Sequence, residues 1–152
     1  IKLEPLDLRE LIRETVTDLK FNTGASAIRL DFDESAPIMF TSDCNQMKIV
    51  LNNLVGNAVK YHNLEKEDPF IKIHFKRDGN KVEICVEDNG VGISEQNLPR
   101  IFDMFYRASK STEGTGLGLY IVKEALIKIG GQITVKSELG KGTIFRISLH
   151  PA

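Results

Sequence analysis

Leu8, Leu11, Ile12, Val16 and Leu19 recur at helical spacing, so they share one face of an α-helix. Pro5 and Asp7 stand ahead of this stripe and Glu10 lies three residues after Asp7, a capping arrangement that predicts a helix running to about Phe21, ended by Asn22-Thr23-Gly24. Alternating Ile28, Leu30 and Phe32 predict a strand, with a shorter one through Ile38 and Phe40 after Pro37. From Asp43 the period returns to helical: Met47, Val50, Leu51, Leu54, Ala58 and Tyr61. Two alternating runs, Ile71-Ile73-Phe75 and Val82-Ile84-Val86, flank Asp78-Gly79-Asn80 and predict a hairpin in the middle of a sheet. Asp88 to Gly116 breaks into loop, with a short helix expected around Asn97 to Phe105. A third long helix, about Leu117 to Ile129, should stop at Gly130-Gly131. Ile133 and Val135, then Phe145, Ile147 and Leu149 across Gly140-Lys141-Gly142, make a last antiparallel pair. The order α, β, α, β, β, α, β, β fits an α+β sandwich with helices on one face of a mainly antiparallel sheet.

Composition narrows the setting. A chain of 152 residues with 41% hydrophobic content is the size of one domain with a proper core, so residues 1–152 are expected to form a single unit. The net charge is -1 and the longest charged cluster, Glu65 to Asp68, is short and mixed in sign, which argues against a nucleic-acid or membrane surface. Cys44 and Cys85 lack metal-ligand or CxxC spacing and read as buried free thiols of a reducing, cytoplasmic compartment. No run approaches the ~20 apolar residues of a membrane span, and no signal-peptide pattern precedes the first element. Because the chain opens on Ile1, it is expected to be excised from a longer protein, whose own membrane anchoring stays open.

Three stretches carry candidate chemistry. Gly114-Thr115-Gly116-Leu117-Gly118-Leu119 feeds the third helix, and a glycine-rich loop at a helix N-terminus offers free N–H groups and a positive dipole end to phosphate; ordinary turn chemistry is the alternative. On the second helix Gln46, Asn53, Asn57 and Lys60 fall on one stripe beside the apolar face. A carboxamide oxygen suits Mg²⁺ already chelated by phosphates and a lysine suits phosphate oxygens, whereas a solvated face is the plainer reading. Asp88-Asn89-Gly90-Val91-Gly92-Ile93 leaves the strand ending near Val86, where a carboxylate can accept from an exocyclic amine such as adenine N6, or simply form an Asx turn.

Together these stretches resemble a known family. Asn53-Leu54-Val55-Gly56-Asn57-Ala58-Val59-Lys60-Tyr61 resembles the N box, Asp88 to Gly92 the G1 box, Phe102-Asp103-Met104-Phe105 the F box and Gly114 to Leu119 the G2 box of the sensor histidine kinase catalytic, ATP-binding domain. The boxes come in family order, and the ending Gly140-Lys141-Gly142-Thr143-Ile144-Phe145 is also similar. The resemblance implies the Bergerat fold, a two-layer sandwich of a mixed sheet of about five strands on three helices, shared with gyrases and chaperones. It implies ATP and Mg²⁺ as cofactors, with Asn57 as the metal ligand, Asn53 beside metal and phosphates, Lys60 on phosphate and Tyr61 near the adenine. Asp88 would accept from adenine N6, with Gly90, Gly92 and Ile93 shaping that pocket and Thr143 adding a hydroxyl. Arg107 and residues 108–113 would form a lid, and Gly114, Thr115, Gly116, Leu117, Gly118 and Leu119 its hinge and triphosphate cradle.

The sequence departs from the family pattern at Met104, where Pro is common in the F box, and in a short lid between Phe105 and Gly114. Phe102, Met104, Phe105 and Tyr106 are candidates for docking a partner helix or for packing under the loop. None of His62, His74 and His150 is followed by a carboxylate as in the family's phosphoacceptor helix. The resemblance therefore implies transfer of the γ-phosphoryl group to a histidine on a separate dimerisation domain and onward to a response regulator receiver domain. Asn53 stands where the ATP-hydrolysing relatives carry a Glu that activates water, and a carboxamide cannot act as general base. A degenerate nucleotide-sensing or interaction module of the same fold is the alternative.

Overall fold

The computed structural model describes residues 1–20, 27–32, 37–107 and 116–151. The first amphipathic stripe becomes α1 (Leu8–Lys20), and Leu8, Leu11, Ile12 and Val16 are buried as the period requires. Asp7 acts at its start: Oδ1 accepts from the N–H of Arg9 at 3.1 Å and of Ile38 at 3.2 Å, so one carboxylate tethers the helix to the next layer. Ahead of α1 lies a strand that periodicity did not predict, β1 (Leu3–Asp7). It buries only Leu6 and contains Pro5, so it carries neither alternation nor a full set of donors; it exists because β3 (Met39–Asp43) pairs with it antiparallel, Leu3 opposite Asp43.

The main sheet has five strands: β2 (Arg29–Phe32), β4 (Phe70–Asp78), β5 (Lys81–Asp88), β6 (Gln132–Glu138) and β7 (Gly142–Leu149), in the order β2-β4-β5-β7-β6. β2 runs parallel to β4 and every other pair is antiparallel, which makes the sheet mixed as expected. Its inward face, Ile71, Ile73, Val82, Ile84, Val86, Ile147 and Leu149, packs on α1, α2 (Cys44–Lys60) and α3 (Gly118–Lys128) in one core. Met47, Val50, Leu51, Leu54 and Val55 of α2 are fully covered. α3 ends as the two glycines predict: Gly130 takes φ 73°, its N–H donates to Ile127 O, and Gly131 N–H donates to Leu126 O at 2.8 Å.

Two expectations need correction. Only Leu98–Arg100 forms a short 3-10 turn where a helix over Asn97 to Phe105 was expected. Pro99 lacks a donor, the later bonds Asp103 N–H to Arg100 O and Tyr106 N–H to Asp103 O span three residues, and Phe105 has φ 64°, which no right-handed helix accommodates. Both cysteines are free, but each is half-buried: Cys44 opens α2 at the edge of the core, and Cys85 shares the outer face of β5 with Glu83 and Glu87. The predicted end of α1 at Phe21 lies outside the described residues, as do 108–115, which contain the expected lid, Gly114 and Thr115.

Candidate functional site

Strand register puts Asp88 at the end of the central strand, opposite Ile71 on β4 and Thr143 on β7. There the sheet, the C-terminal half of α2 and the N-terminus of α3 enclose a cleft of about 660 Å³, within the size range of small-molecule sites. Asn53, Asn57, Lys60, Tyr61, Asp88, Gly92, Ile93, Arg107, Gly116, Gly118, Leu119 and Thr143 all line it, so the fold gathers into one cavity residues from five separate stretches of sequence. Gly90 stands directly behind the wall, and Leu117 sits at the N-cap of α3 without facing the cleft. Gln46, on the same helical stripe as Asn53, does not reach it; its N–H instead donates to the α2 N-cap, Asp43, at 3.0 Å.

One end of the cleft is built around Asp88. Gly90 N–H donates to Asp88 Oδ1 at 2.8 Å, and a Cβ on Gly90 would stand 3.0 Å from that oxygen and 3.1 Å from His62 Cα. Burial pushes the Asp88 carboxyl above its usual range, while the N–H groups of Gly90 and Thr143 and the neighbouring His62 act the other way. Gly92 must be glycine: its φ is +72°, and a Cβ would fall 2.1 Å from Glu138 O. The loop is tied to the β6–β7 turn by Gly140 N–H on Val91 O (2.7 Å) and by Ser137, whose hydroxyl accepts from Ile93 N–H and meets Thr143 Oγ1, both near 2.8 Å. Thr143 is buried.

The other end is polar and electropositive. Asn53 Nδ2 donates to Ile49 O at 2.7 Å, which turns its carboxamide oxygen away from the helix. That oxygen and both polar atoms of Asn57 lie 3.4–3.6 Å from where a Gly118 Cβ would sit, so glycine lets the start of α3 come up beside both amides. Leu117 supplies no side-chain cap to the first turn of α3, and the N–H groups of an uncapped helix start suit an anion. Lys60 is exposed, its Nζ 5.4 Å from the Tyr61 ring centroid. Arg107 Nε is buried with no hydrogen-bond partner among the described residues, an orphaned donor in the cleft wall. Gly116, φ +75°, packs its backbone on Phe105, whose N–H donates to Gly116 O at 3.0 Å.

Sequence reasoning missed His62, Ser94, Asn97, Tyr106, Leu139 and Phe145 as lining residues. Tyr106 hydroxyl bonds Asn97 Oδ1, a contact across nine residues that no periodicity reveals. His62 was legible, since it directly follows the second-helix stripe. The aromatic run after the turn divides: Phe102 packs edge-on against Phe145, centroids 6.4 Å apart, whereas Met104 and Phe105 are 48% and 66% exposed. Among the described residues no three His, Cys, Asp or Glu side chains form a metal cluster, and no helix is long and apolar enough to cross a membrane.

A strand-end carboxylate, two helix amides and the glycine-led start of α3 thus face one cleft. Residues 42–152 match the family of histidine kinase-, DNA gyrase B- and HSP90-like ATPases, and the chain belongs to it. Within that family it is similar to the sensor protein RprX of Bacteroides fragilis, 34% identical over 98% of this chain and 30% of RprX. The catalytic domain of histidine kinase ThkA superposes with a TM-score of 0.83 at 28% identity, covering 99% of this chain and 96% of that one. Full-length ShkA in complex with AMPPNP superposes at 0.82 and 28% identity, over 98% of this chain and 31% of ShkA. The fold is thus that of sensor histidine kinase catalytic domains, and the chain spans less than a third of RprX.

Proposed function

We propose that this chain binds ATP in the cleft and acts as the phosphoryl-donating domain of a sensor histidine kinase, passing the γ-phosphoryl group to a histidine on a separate dimerisation domain. The observation that carries the reading is the convergence of Asp88, Asn53, Asn57 and the start of α3 on one cavity. Asp88 suits the exocyclic amine of adenine, with Thr143 beside it on the paired strand. At the polar end the α3 N-terminus, Lys60 and the Nε of Arg107, which has no partner among the described residues, suit phosphate oxygens. Mg²⁺ fits the donor set in one respect: the Asn57 carboxamide is a hard oxygen ligand, and phosphates would supply the others. When bound, Mg²⁺ would neutralise charge on the phosphates; the chain's own part is to hold and orient them, which is most of what phosphoryl transfer asks of a protein.

Asn53 favours transfer over hydrolysis, because a carboxamide cannot take a proton from water. The histidine acceptor is proposed to lie outside residues 1–152, since His74 is paired with Glu87 on the sheet, His62 has its ring against backbone carbonyls and His150 follows the last strand. A response regulator receiver domain is the proposed final acceptor. Calorimetric titration with AMPPNP, with and without Mg²⁺, tests the reading. Binding should fall at least tenfold in Asp88→Ala, and the gain from Mg²⁺ should vanish in Asn57→Ala. A folded wild-type chain that binds no nucleotide would favour the interaction-module alternative.

A further inference from the structure

Val86, Phe145 and Val135 form one cross-strand row packed against the core, and the next row on the same face of the sheet, two residues along each strand, is Asp88, Thr143 and Ser137. Asp88 and Thr143 line the cleft; Ser137 does not, because it lies one strand further out, on the edge strand β6. After Ile133 and Val135 the alternation of β6 calls for an apolar side chain at this position, and a serine stands there instead. Its hydroxyl is fully engaged. Ser137 Oγ accepts from Ile93 N–H at 2.7 Å, donates to Gly142 O at 2.8 Å and lies 2.8 Å from Thr143 Oγ1. A serine hydroxyl carries one proton, and a carbonyl oxygen can only accept. With that proton on Gly142 O, the remaining bond has one direction: Thr143 donates and Ser137 accepts. This arrangement gives the proton of the buried Thr143 an acceptor and fills both lone pairs of Ser137. Thr143 Oγ1 then has only lone pairs left for the cleft, beside Asp88, which as a carboxylate also only accepts.

We propose that Ser137 is a positioning residue for base selection: by holding the Thr143 proton it makes the base end of the cleft an acceptor-only wall, which takes a purine with an amine at C6 and rejects one with a carbonyl there. The inference rests on the assignment of Asp88 as the adenine acceptor. Asp88 by itself disfavours a carbonyl, but a Thr143 hydroxyl free to rotate would donate to that oxygen and relieve the mismatch. Ser137 closes this route. Lone pairs set against lone pairs discriminate well, since neither side finds a partner in the closed site. The same serine oxygen ties the loop at Ile93 to the β6–β7 turn, so one side chain fixes both the wall of the base pocket and the direction of its hydroxyl.

Affinities for ADP and for inosine diphosphate, which has a carbonyl in place of the amine, test the proposal. They are measured with Mg²⁺ by calorimetric competition for wild type, Ser137→Ala, Thr143→Val, the double variant and Asp88→Ala, with thermal melts of each. The preference for ADP over inosine diphosphate should fall about fivefold in Ser137→Ala, the size of one hydrogen bond. In Thr143→Val, which has no hydroxyl to direct, adding Ser137→Ala should leave the preference unchanged. Loss of a merely structural bond lowers both affinities together and does not move their ratio. Should Ser137→Ala fail to fold, Ser137→Cys keeps the volume with a sulfur that accepts only weakly, and carries the same expectation. A ratio unmoved by the serine substitution, or moved equally with and without the Thr143 hydroxyl, while Asp88→Ala is still weakened, overturns the role of Ser137 alone. Equal ADP binding by wild type and Asp88→Ala, or none by either, overturns the nucleotide assignment and this inference with it.

Discussion

A carboxylate buried at a strand end costs the fold when it ionises. Burial raises the Asp88 pKa, so its contribution to stability is fully present below the ordinary carboxylate range and is lost as pH rises through the raised value. Above that raised value the ionised group weakens the fold. Asp88→Asn, which keeps an acceptor for Gly90 N–H, should melt at or above wild type at pH 7, the gap closing on acidification, while nucleotide affinity drops about tenfold or more with the lost charge-assisted bond. Calorimetric melts across pH, together with binding titrations, check both parts. Gly92 makes a different demand on its position. Gly92→Ala puts a methyl 2.1 Å from Glu138 O at positive φ, where only backbone could yield, and should destabilise the domain by about 1–3 kcal/mol in denaturant unfolding.

Elements place these residues through their ends more than their middles. α2 is aimed by its N-cap: Asp43 Oδ1 accepts from Gln46 N–H, Oδ2 accepts from Lys2 N–H at 2.7 Å, and these bonds, Lys2 first, hold the carboxyl below its usual range. The sign is opposite to that of Asp88. Stability from Asp43 is present above the ordinary carboxylate pKa and is lost as pH falls through the lowered one. Asp43→Ala should lower the melting temperature at neutral pH, with a smaller difference in acid, and Asp43→Asn should recover part of it because a carboxamide also caps. The four-turn run from that cap delivers Asn53 and Asn57 to the cleft, and Gly118 lets α3 begin beside them. α3 itself follows the glycines at both ends, which is why its limits agree with the periodicity to within a residue.

At the scale of the molecule, the proposed donor role predicts that this chain by itself loads nucleotide and goes no further. Incubated with radiolabelled ATP and Mg²⁺, the chain is expected to gain no stable phosphohistidine at His62, His74 or His150, and phosphorylation should appear only when a histidine-bearing helical domain is added; mass spectrometry under alkaline conditions reads the site. The sequence by itself determined most elements, because each has a period of its own: the stripes of α1, α2 and α3, and the alternation of β4, β5, β6 and β7, depend on which face is buried and on nothing further away. The boxes around Asn57, Asp88 and Gly118 were legible for a related reason, since amides on a helix face and glycines beside a carboxylate are local departures from what packing alone selects. Only the tertiary structure decided the rest. β1 exists through its pairing with β3, and the expected helix over Asn97 to Phe105 gives way to turns that let Tyr106 reach back to Asn97 and Phe105 meet Gly116. That His62 stands beside Asp88, 26 residues further along, follows from the register of β4 on β5 and the return of the chain from α2. Contacts of that kind are made between surfaces that no local pattern encodes, so they come into being only once the sheet has closed on its helices.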